Sequence, residues 1–298
     1  MIAGSTQLHA IGHGRRKFLI RVLGTALFGG VMLSLPVPAA AQQVNNLNIS
    51  PKRVVFAGAA TASAVYIFNR GEEAVTYRVE LVDRVMLPSG EIRSKDELID
   101  NPAGVELAGR LKSSASMIQF TPRRVTLQPG QSQAIRLRLL RPAVLPDGEY
   151  RTTLTVSAVP PDDAGITADQ AFGANDGKLS IKAIARFEVS IPLIVRQGQL
   201  AGLVRIDNAR ASGQKLELEL ARSGSRSVYG DLEVRENDAN GKIVGLIRGV
   251  GVYEETDRRA LEVSLNRIVS PGEALYLSFR EDAAPEATAV VVERIVAK

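Results

Sequence analysis

The chain has 298 residues and a net charge of +5, and contains neither cysteine nor tryptophan. Without cysteine, disulfides and thiolate metal sites are excluded. The length exceeds one small β-sandwich and suits two, and a body of that size buries a core without covalent staples.

The first 41 residues hold Arg15, Arg16, Lys17 and Arg21 and no acid. An apolar stretch, Val22–Val37, follows and ends in Pro38-Ala39-Ala40-Ala41-Gln42. Small residues at Ala39 and Ala41 fit a signal-peptide cleavage site, with Gln42 as the new N-terminus. An uncleaved membrane anchor is the alternative, disfavoured by Gly29-Gly30, Pro36 and Pro38. The paired arginines leave general and twin-arginine export both open. Setting aside the four basic residues of the leader leaves 33 basic against 32 acidic residues, which argues against a nucleic-acid partner. His9 and His13, the two histidines, also fall in the leader. The mature chain then lacks histidine triads and the usual zinc ligands, and no Gly-rich phosphate loop stands before a helix. The expectation is a protein that is not an enzyme and needs no cofactor or metal.

From Asn45 onward the dominant period is two. Val75, Tyr77, Val79 and Leu81 alternate with polar residues; so do Ile135, Leu137 and Leu139, then Tyr150, Thr152, Leu154 and Val156. This is the pattern of half-buried strands. Asn69-Arg70-Gly71, Pro88-Ser89-Gly90, Gln128-Pro129-Gly130 and Pro146-Asp147-Gly148 supply turns between them. Ser94–Leu111 is the least strand-like stretch and is expected to hold a short helix or an irregular connection. Asp162–Lys178 reads as a long loop. Alternation then runs unbroken from Leu179 to Val195, about 17 residues and roughly three times the usual strand length. Pro192 cannot donate to a ladder, so that point is an edge, a bulge or a strand end. Gln197-Gly198-Gln199 reads as an inter-domain hinge. Beyond it Leu216, Leu218 and Leu220, then Leu232 and Val234, the hairpin signal Asn237–Gly241, Leu261–Leu265, Tyr276–Phe279 and Ala289–Val296 give a second β region. The predicted fold class is all-β: two immunoglobulin-like β-sandwiches in tandem after a signal peptide, with boundaries 1–41, 45–196 and 201–298.

The order of four segments resembles the PapD-like family of periplasmic chaperones in the chaperone–usher pathway. These are Ile49–Phe56, Leu127–Gly130, Leu145–Pro161 and the long strand into Ile191–Arg196. Tyr276–Phe279 with Asp282 extends the likeness weakly beyond residue 200. The resemblance implies a chaperone that stabilises pilin-like subunits by lending them a strand, with affinity from backbone hydrogen bonds and specificity from alternate side chains. By position the donor residues are Ile181, Ala183, Ala185 and Phe187; filling the chain's own core is the competing role, most seriously for Phe187. The resemblance also implies that Arg53 anchors a subunit's terminal carboxylate, against the default of a solvated strand residue. The lysine expected beside it is replaced by Pro192. Glu149, Arg196 and Asp282 match an inter-domain ion cluster, or are three unrelated surface charges. Implied partners are pilin-like subunits and an outer-membrane usher, with self-capping as a dimer possible and the periplasm as location. The alternative is a binding or structural module of tandem immunoglobulin-like domains at the cell surface, such as a pilus subunit or adhesin. A subunit would carry its donor strand at the mature N-terminus, where Gln42–Asn48 is short and polar.

Overall fold

The computed structural model describes residues 46–159, 187–282 and 290–297. The donor positions Ile181, Ala183 and Ala185 therefore lie outside the described residues, as do the leader and the Asp162–Lys178 loop.

The first sandwich is built from two facing sheets. One has the order β1-β3-β9-β7, from Leu47–Ser50, Ala62–Asn69, Ser132–Leu139 and Ile118–Thr121. The other has the order β2-β11-β10-β4-β8, from Val54–Phe56, Glu188–Gln197, Gly148–Ala158, Val75–Val82 and Arg124–Leu127. The period-two pattern drives this arrangement. Ile49, Val65, Ile67, Ile135, Leu137, Leu154, Val156, Ile191, Leu193 and Val195 all point between the sheets and are buried. The chain changes sheets at Ser50–Arg53, so β1 pairs antiparallel with β3 while β2 runs parallel to β11. Between β8 and β9 the Gln128–Gly130 turn closes with Gly130 at φ 73°, a value that glycine adopts without penalty.

The stretch after β4 leaves the sandwich. It forms a hairpin, β5 (Arg84–Met86) with β6 (Ile92–Ser94), then a 3-10 turn at Asp96–Leu98 and the helix α1 (Pro102–Arg110). Pro102 opens the helix where its missing N–H costs nothing, and the Asn101 side chain accepts from Gly104 N at 3.1 Å as an N-cap. Val85, Leu98 and Leu111 give this excursion a small core of its own. Of the two expectations for Ser94–Leu111, a short helix or an irregular connection, the helix is the one found, at Pro102–Arg110.

The second sandwich faces β14-β13-β16-β17 against β12 and β15. Their spans are Ile243–Val252, Val228–Glu236, Ala274–Glu281, Val290–Val296, Gly202–Gly224 and Arg258–Val269. Fully extended, the 23 residues of β12 would reach about 75 Å, yet Ser225 N donates to Ala201 O at 2.8 Å. β12 therefore doubles back, with Gly213 at φ 60° near its midpoint. Leu216, Leu218 and Leu220 point inward with Leu232, Val234, Val263, Leu275, Leu277 and Phe279. Both sandwiches belong to one compact unit, Gln43–Lys298.

Candidate binding cleft between the sandwiches

Arg53 stands at the sheet change just before β2, where the kink turns it out of the first core. Its guanidinium carbon lies 4.6 Å from the centre of the Tyr229 ring on β13, so it rests on an aromatic face of the second sandwich. Its Nε is buried and has no hydrogen-bond partner. Burial, and then the nearby Arg196, push this guanidinium below the ordinary arginine value, while Tyr253 and Glu149 pull it back. Among the described residues no carboxylate lies within ion-pair distance of Arg53.

Glu149 and Arg196 face each other across the β10–β11 ladder. Arg196 Nε donates to Glu149 at 2.9 Å, and the Glu149 side chain is 2% exposed. The pair also reaches across the seam. The other Glu149 oxygen accepts from Ser227 N at 3.1 Å, and Arg196 donates to Ser227 O at 3.3 Å. Asp282 is placed apart from this pair. Its backbone N donates to Tyr229 O at 3.0 Å, and its carboxylate makes no ion pair among the described residues. Burial and then Asp231 raise its pKa above the usual aspartate value, with Arg53 acting in the opposite direction. Its neighbour Glu281 pairs with Arg226 instead. The structure therefore brings Glu149 and Arg196 together and sets Asp282 near Arg53.

β11 has two partners at one end and one at the other. β10 covers Glu188–Gln197, but β2 reaches only Leu193–Val195. From Glu188 to Pro192 the outer edge has no strand partner among the described residues. Pro192, register partner of Thr153, falls on this one-sided stretch, where a missing donor is tolerated. Just before β11 the carbonyl of Phe187 accepts from Ala158 N at 3.1 Å, and its side chain is half-buried. Val189 packs against the first core.

Ile194, on the outer face of β11, is fully buried with Val55 beneath Met86 of β5 and Tyr253 of the second sandwich. Arg151 and Glu255 meet in the same seam. Sequence reading missed all of these. Arg151 sits on the polar side of an alternating strand, and nothing local marks Tyr253-Glu254-Glu255 as more than a solvated turn. A groove of about 480 Å³ also opens where Pro88, Leu107, Arg110, Asp257 and Arg258 meet. Its charges are already spent on each other: Arg110 with Asp257 at 2.9 Å, and Arg258 with Glu219 at 3.0 Å.

No protein-family model matches the sequence, and no curated protein does. Solved structures do. The YadV chaperone is 13% identical, with a TM-score of 0.41 over 84% of this chain and 99% of its own. The CupB2 chaperone of Pseudomonas aeruginosa is 12% identical, with a TM-score of 0.40 over 84% of this chain and 100% of its own. A chain of the Salmonella enterica SafA pilin–SafB chaperone complex is 13% identical, with a TM-score of 0.41 over 86% and 99%. Two of these structures are of chaperones and the third is of a pilin–chaperone complex.

Proposed function

We propose that this protein is a divergent PapD-like periplasmic chaperone that binds pilin-like subunits by strand pairing along β11. One observation carries the reading: β11 offers a one-sided edge at Glu188–Pro192, on the strand that forms the second half of the long alternating run. An unpaired strand edge is a template for another chain. Arg53 supports it as a buried-edge cation without a carboxylate of its own, suited to grip a terminal carboxylate. In this reading Ile181, Ala183, Ala185 and Phe187 insert into the subunit, and an outer-membrane usher receives it. With Pro192 in place of a lysine, Arg53 grips the carboxylate without that second cation.

The test is co-purification from the periplasm of the source cell, comparing wild type with Arg53→Ala and Ile181→Asp/Phe187→Asp. Small β-rich secreted subunits held by wild type and lost from both variants, with the variants folded, support strand pairing and carboxylate anchoring. A wild-type protein without such a client, or variants that keep it, overturns the reading in favour of a binding module. Mass spectrometry of the exported chain tests the location: an N-terminus at Gln42 is expected, and an intact leader counts against a free periplasmic protein.

A further inference from the structure

The seam holds far more than the Glu149–Arg196 contact. The turn Tyr253–Asp257, between β14 and β15, reaches into the excursion that leaves the first sandwich at Arg84. Each of its acids finds a partner there. Glu255, 1% exposed, pairs with Arg151 and accepts from Met86 N at 3.0 Å. Glu254 pairs with Lys112 at 2.9 Å, and Asp257 takes two bonds from Arg110, both at 2.9 Å. Arg151 stacks over the Tyr253 ring at 4.1 Å and donates to Arg84 O at 2.7 Å. Beside the turn, Ala260 N donates to Pro88 O at 2.7 Å, so the hairpin tip is tied to β15 as well.

The turn is also held from within its own sandwich. Arg222 of β12, only 7% exposed, spends its guanidinium on it from behind. It donates to Thr256 O, Glu254 O and Asp257 Oδ1, and also to Gly224 O and Arg226 O. That accounts for all five N–H groups of the side chain.

We propose that Tyr253–Asp257 is the key and the Arg84–Lys112 excursion the socket of an inter-domain lock, with the Arg151–Glu255 pair at its centre, and that this lock fixes the angle between the sandwiches. Two domains joined by a short linker move relative to one another unless a substantial interface stops them. Here the linker does not: β11 ends at Gln197, and Gly198 turns the chain at φ 76°. The lock supplies an apolar centre in Met86, Ile194 and Tyr253, and around it three ion pairs that cross the seam, Arg151–Glu255, Lys112–Glu254 and Arg110–Asp257. A buried pair of this kind adds little net stability but penalises every arrangement that separates it, because each separated charge stays partly desolvated. The consequence reaches the cleft. Tyr229 and Tyr253, which flank Arg53, both belong to the second sandwich, so the lock determines what Arg53 faces. The lock stands whether or not a pilin-like client exists.

The absence of cysteine makes the test direct. Arg136→Cys and Glu217→Cys place one exposed label on each sandwich of the full chain, and pulsed electron resonance reads the distance between them. The parent should give one narrow distribution. Glu255→Lys, which sets two cations against each other in the seam, should broaden it about twofold or more, with the circular dichroism of each sandwich retained. A distribution unchanged in folded Glu255→Lys overturns the lock. Should Glu255→Lys fail to fold, Arg110→Ala/Lys112→Ala removes only exposed partners. A broadened distribution there supports the lock, and an unchanged one in that variant combined with Glu255→Gln overturns it.

Discussion

Arg196→Ala tests the Glu149–Arg196 staple. The substitution deletes the 2.9 Å bond to Glu149 and the 3.3 Å bond to Ser227 O. It leaves a carboxylate with 2% side-chain exposure and one remaining donor, Ser227 N at 3.1 Å. Removing one partner of a buried pair costs about 3–5 kcal/mol. Because the Arg196 side chain keeps 15% exposure, water enters once it is cut back, and the lower end, about 3 kcal/mol, applies. For a body of this size that lowers Tm by about 6–12 °C. The assay is urea unfolding followed by circular dichroism, where the midpoint should fall with an unchanged slope. Glu149→Gln/Arg196→Met removes both charges together and should recover at least about 1 kcal/mol of the loss. A single variant within about 0.5 kcal/mol of wild type, or a double variant that is fully additive, refutes a buried, coupled pair.

Further outcomes follow from other sites. Phe56→Ala, at a side chain 1% exposed in the first core, should cost about 3–5 kcal/mol by urea denaturation. Asn69→Ala removes bonds to Glu73 O at 2.7 Å and Leu127 O at 3.0 Å and orphans Gly71 N; a loss of about 2–3 kcal/mol is expected in the same assay. Gly249, at φ 67°, lies directly under the Tyr229 hydroxyl; Gly249→Ala should cost more than about 1 kcal/mol and displace the ring on which Arg53 rests, visible as a shifted tyrosine signal in NMR. Asp282 is a carboxyl whose folded pKa is raised, so its ionised form opposes folding above that pKa and the opposition vanishes below its unfolded value. Asp282→Asn should therefore raise Tm at neutral pH and lose that advantage as the solution is acidified below about pH 4; an advantage that grows on acidification would show the sign to be wrong.

Much of the fold is legible locally because strands announce themselves by what alternates. Leu216, Leu218 and Leu220 lie on one face and are buried on that face, and Gln128-Pro129-Gly130 marks the turn between β8 and β9. Pro192 signals a ladder with a missing side, and β11 has one. The reading loses force where one residue answers to something distant. Arg151 alternates with apolar neighbours like any outward polar residue, yet it is buried against Glu255, 104 positions away. Residues 202–212 carry the first half of the long strand β12, which the reading does not assign. Asp282, grouped with Glu149 and Arg196 by resemblance, makes no ion pair among the described residues, and its neighbour Glu281 pairs with Arg226.

The sequence alone determined the all-β class, the two successive β regions, and the absence of thiol chemistry, because periodicity, turn residues and composition act within a few positions. Only the tertiary structure decided which charges meet. A guanidinium or carboxylate carries no periodic signal for its partner. Whether it is solvated, paired or buried depends on how the Arg84–Lys112 excursion and the Tyr253–Asp257 turn come together across the seam.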